Sequence, residues 1–69
     1  MSWNYRVVDW GDGVDIREVY YDDDGKITHW TANPRELTGE TVDDIEEDLR
    51  LILKDLRRFP PIPEAELPR

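Results

Sequence analysis

Cysteine is absent, and histidine, serine, methionine and phenylalanine occur once each among the 69 residues. Without cysteine there are no disulfides, no thiolate nucleophile and no sulfur ligands for zinc. The single histidine, His29, has no serine or cysteine neighbour in its segment to activate, and Ser2 stands near the chain start, so a hydrolase triad is excluded. Two carboxylates alone can cleave a glycoside, but they need a cleft that fixes their separation, which a two-layer domain of this length rarely builds. The expectation is a non-enzymatic protein with no cofactor and no metal.

Long apolar runs are missing too. Residues 1–10 mix Asn4, Arg6 and Asp9 among their apolar neighbours, so they suit neither a membrane span nor a signal peptide, and the chain reads as a soluble cytoplasmic protein. Basic residues are scarce: nine against seventeen acids leaves a formal charge of −8. That sign repels nucleic acid and anionic membrane, and its natural complement is a partner protein with a basic surface. The same charge also keeps a small protein in solution.

What is present reads as strands followed by a helix. Residues 3–10, WNYRVVDW, are rich in aromatic and β-branched side chains, with Trp3, Tyr5 and Val7 on one face of an extended chain. The segment GDG follows, and Asp12-Gly13 offers the positive φ angles of a tight hairpin. Residues 14–21, VDIREVYY, then return antiparallel, and Asp24-Gly25 repeats the hairpin chemistry before a third strand over residues 26–31, KITHWT. Pro34 and Gly39 mark residues 32–40 as a connection. Thr41 suits a helix N-cap with Asp44 three residues on, acids crowd the first turns, and Arg57 and Arg58 sit at the far end. Val42, Ile45, Leu49, Ile52, Leu56 and Phe59 recur at spacings of three and four, with Leu53 widening the stripe, which predicts one apolar face lying on the sheet. Pro60, Pro61 and Pro63 stop the helix. The fold expected is α+β: a three-stranded antiparallel β-meander against one long C-terminal helix in residues 1–59, then an extended Pro-rich acidic tail, 60–69, with a Pro-x-x-Pro spacing.

The segment DDDG, Asp22, Asp23, Asp24 and Gly25, invites a calcium reading. Placing Gly25 sixth in an EF-hand loop puts Asp22 and Asp24 at the third and fifth positions, but Tyr20 and Thr31 then occupy the first and twelfth, where carboxylates belong. The segment is therefore a hairpin tip. Its clustered carboxylates also fit a basic groove on another protein, where they imitate phosphates.

The second half, GETVDDIEEDLRLILKDL followed by PPIPEAE, resembles the part of HicB-type antitoxins in which a Gly-acid-Thr start opens an amphipathic helix that ends before a Pro-Ile-Pro segment. The upstream YRVV, GDG and DIREVYYD resemble that family's opening hairpin, and the whole chain is similar to a family of small bacterial proteins beginning SWNYRV, with a central EVYYD and a following WT. The HicB resemblance implies a partial ribonuclease H-like fold without catalysis that binds a small basic toxin ribonuclease. It departs from that pattern at Asp22 to Gly25 and Trp30, and at Arg69, where HicB proteins commonly continue into a DNA-binding segment.

One helix covers one face of a sheet, yet both strand parities carry large apolar residues, among them Trp10 and Tyr21, and Leu51 falls on the polar side of the helix. These three, with Asp22, Asp23 and Asp24, are the expected contacts for a basic toxin- or nuclease-like partner, an exposed aromatic sheet face also being suited to a homodimer. Ile62 and Leu67 of the tail offer a different cover for that face.

Overall fold

The computed structural model describes residues 2–68. β1 (Ser2–Asp9) and β2 (Val14–Tyr21) pair antiparallel along their whole length, Ser2 opposite Tyr21 and Asp9 opposite Val14. β3 (Ile27–Trp30) joins the other edge of β2, with a bulge at Tyr20/Tyr21. The helix α1 (Val42–Arg58) follows. The fold is α+β, but the sheet is not a three-stranded meander. Ile62–Pro63 forms a short β4 that pairs parallel with β1 at Val8 and Asp9, giving a four-stranded mixed sheet in the order β3-β2-β1-β4. Prolines on both sides of Ile62 suit that edge, since a strand with no further neighbour needs no outward N–H.

The two hairpin turns differ. At the first, positive φ falls on Gly11 (93°) rather than on Asp12 or Gly13, because the Asp9 carboxylate accepts the Gly11 N–H at 2.9 Å and reverses the chain earlier. At the second, Gly25 takes φ of 81° and Asp22 organises the turn, its Oδ1 accepting the N–H groups of Asp24 and Lys26, both at 2.9 Å.

α1 starts where the sequence predicts. Thr41 Oγ1 accepts the Asp44 N–H at 3.2 Å and Asp44 Oδ2 accepts the Thr41 N–H at 3.3 Å, a reciprocal capping box. Its orientation does not follow the apolar stripe. Ile52 is buried and Ile45, Asp48, Asp55 and Phe59 are half-buried along one line, whereas Val42, Leu49, Leu53 and Leu56 are exposed. Two aspartates on the inward line find partners there: Asp48 pairs with Arg35, and Asp55 accepts the backbone N–H of Tyr5 at 3.0 Å. Those bonds turn the helix so that only part of its stripe meets the sheet.

The main core is Val8, Val19, Ile62 and Leu67, with Trp10, Tyr21, Ile27 and Trp30 packed against it. Residues 60–68 are thus folded back on the sheet rather than loose. Each such aliphatic side chain contributes about 1.5–3 kcal/mol when fully buried. On the opposite face Tyr5 is buried; Trp3 meets it edge-on at 5.2 Å, and the Arg35 guanidinium lies 5.9 Å from its ring centre. Among the described residues no helix is long and apolar enough to cross a membrane.

Candidate functional site

Trp10 follows directly on β1 and sits beside Asp15 and Arg17, which alternate along β2 and so share a face. Its indole Nε1–H donates to Asp15 Oδ1 at 3.0 Å, and the Arg17 guanidinium carbon lies 4.9 Å from its ring centre. Arg17 grips Asp15 with two bonds, Nε at 2.9 Å and a terminal nitrogen at 2.8 Å, and gives its remaining nitrogen to the carbonyls of Thr31 and Ala32. The guanidinium thereby ties the end of β3 and the following loop to β2. Hydrogen bonding from Arg17 holds the Asp15 carboxyl below its ordinary range against the opposing effect of burial, and Asp15 raises the Arg17 pKa in return.

Three adjoining open grooves share Trp10 as a wall. One of about 310 Å³ is lined by Trp10, Trp30, Glu64, Leu67 and Pro68. The next, about 430 Å³, runs past Asp12, Val14, Asp15 and Arg17 to Trp30, and the third, about 380 Å³, lies between Asp9 and Glu64. Aromatic and apolar walls with a carboxylate rim suit the long stem and charged head of a lysine or arginine. With Arg17 held by Asp15 and two carbonyls, the acids of the rim outnumber the cations.

The other residues singled out from the sequence lie elsewhere. Asp22, Asp23 and Asp24 occupy the β2–β3 turn, at the end of the sheet opposite Trp10, roughly 25 Å away along eight-residue strands. Asp22 spends its carboxylate on the turn, while Asp23 and Asp24 are exposed. Tyr21 is half-buried against the core, its hydroxyl donating to Asn4 Oδ1 at 2.7 Å and accepting from Arg6 at 3.1 Å. Leu51 is exposed on α1. His29 stacks flat on Tyr20, the ring centres 4.4 Å apart, with its Nδ1 3.0 Å from Thr28 Oγ1. Of the predicted contacts, then, Trp10 is the one that lines these three grooves. Its neighbours Trp30, Arg17 and Glu64 carried one readable sequence signal, the i, i+2 spacing of Asp15 and Arg17 on a strand.

The chain matches no protein-family model, no curated protein and no solved structure with which it was compared.

Proposed function

We propose that the protein is a non-enzymatic, acidic protein-binding module that covers a basic surface of a toxin- or nuclease-like partner. The observation that carries this reading is the set of grooves around Trp10, where indole and aliphatic walls from Trp10, Trp30 and Leu67 stand beside the carboxylates of Asp12 and Glu64. A basic side chain of the partner lays its stem along the indoles and its charge at the rim, and the net charge of −8 steers the approach. Occlusion of a basic active groove is also what the resemblance to HicB-type antitoxins implies.

Affinity capture from a bacterial lysate, run in parallel with the wild type, Trp10→Ala and Glu64→Lys, tests the reading. A basic protein retained by the wild type at low salt, released at high salt and lost with either variant is the expected result. Glu64 is exposed, so Glu64→Lys leaves packing intact and separates loss of binding from loss of fold. A basic protein retained equally by all three chains, or none retained by the wild type, would overturn it.

A further inference from the structure

The docked line of α1 leaves a second apolar line uncovered. Val42, Leu49, Leu53 and Leu56 are exposed to 79, 46, 46 and 41%. At about 3.6 residues per turn they fall on one side of the helix, beside the Ile45 and Ile52 line that meets the rest of the fold. A row of leucines on the outside of a domain with no disulfide marks a surface built for contact.

The charges beside this row say what covers it. The flank facing away from Ile45 and Ile52 carries Asp43 and Glu46 in the first half of the helix and Arg50, Lys54 and Arg57 in the second. Glu46 and Arg50 already bridge within the helix at 2.5 Å, exposed to solvent. Such an arrangement is acidic at one end, basic at the other, and therefore complementary to itself when reversed. When two copies of a helix pair antiparallel about a perpendicular twofold, the same flank of each meets the other end for end. Asp43 then faces Arg57 and Glu46 faces Lys54, both pairs centred on residue 50, so leucine row and charge pattern share one axis.

We infer that the partner for this face is a second copy of the chain, docked antiparallel through α1 as an isologous homodimer. The grooves around Trp10 are lined by no residue of α1, so the inference stands independently of the proposed function. A single pair of 17-residue helices is a small interface, which places the dimer in the weak, concentration-dependent class.

Light scattering and sedimentation of the full chain across micromolar concentrations read the outcome. A monomer–dimer equilibrium is expected, weakened roughly tenfold or more by Leu53→Glu. Charge reversal supplies the orientation. A chain carrying Asp43→Lys and Glu46→Lys, and another carrying Lys54→Glu and Arg57→Glu, should each be monomeric alone and associate when mixed one to one. All these positions are exposed, and circular dichroism confirms that each variant keeps its helix. A wild type that stays monomeric throughout, a dimer that Leu53→Glu leaves unchanged, or charge variants that fail to associate on mixing would each overturn the antiparallel dimer.

Discussion

The carboxylate of Asp55 accepts the backbone N–H of Tyr5 at 3.0 Å, joining helix to sheet across fifty residues of chain. β4 pairs with β1 only at Val8 and Asp9, so without Asp55 the Tyr5 N–H would lie on an unpaired stretch of strand edge. Removing the acceptor with Asp55→Ala is expected to cost about 1–2 kcal/mol, the penalty for a partly buried donor left without its bond. Asp55→Asn keeps an acceptor oxygen and should recover much of it. Urea unfolding midpoints of the three chains decide the matter, and equal midpoints would show that the bond contributes nothing.

Ile62 and Pro63 are neighbours in β4 with opposite fates, one buried in the core and the other exposed. Ile62→Ala should destabilise the fold by about 2–4 kcal/mol, the range for truncating a buried aliphatic side chain. For a domain of this size that is a large part of the total stability. Pro63→Ala should change it by well under about 1 kcal/mol. Thermal melts followed by circular dichroism compare the two. Near-equal losses would mean that the tail does not close the core.

Asp15 links stability to pH. Its folded pKa is held below the ordinary value of 3.8, principally by the hydrogen bonds from Arg17. The carboxylate form is therefore favoured in the fold, so its contribution is present above the unfolded pKa and is lost as pH falls through the lower folded value. The wild type should lose stability below about pH 4, where the unfolded chain begins to bind the proton first. Asp15→Asn lacks this ionisation, so the gap between wild type and variant should narrow on acidification. Unfolding midpoints measured at neutral pH and through the acid range test this; a gap constant with pH would remove Asp15 from the acid response.

What the sequence reveals clearly is local. The paired strands β1 and β2, the turn at Gly25 and the capped start of α1 follow from alternation, turn residues and the Thr41/Asp44 spacing, all read within a few residues. The rotation of α1 is not local. Asp48 and Asp55 look like solvent residues in a helical pattern, and only their distant partners, Arg35 and the Tyr5 N–H, explain why they point inward while Leu49, Leu53 and Leu56 point out. The pairing of Ile62 with Val8 is equally invisible, because a proline-flanked dipeptide carries no strand periodicity. Trp10 stands out for its size, but its grooves exist only once Trp30 and Leu67 arrive from other parts of the chain.

The pairing of β4 with β1 also sets an order of events. Val8 lies near the beginning of the chain, while Ile62 and Leu67, which complete its packing, are made more than fifty residues later. The hairpin of β1 and β2 can form as soon as it emerges from the ribosome, yet its core-facing side stays open until Ile62 and Leu67 have emerged as well. Closing that long loop comes late and adds an entropic cost that the local hairpin and helix do not carry, so these should gain secondary structure early while cooperative stability waits for Ile62 and Leu67.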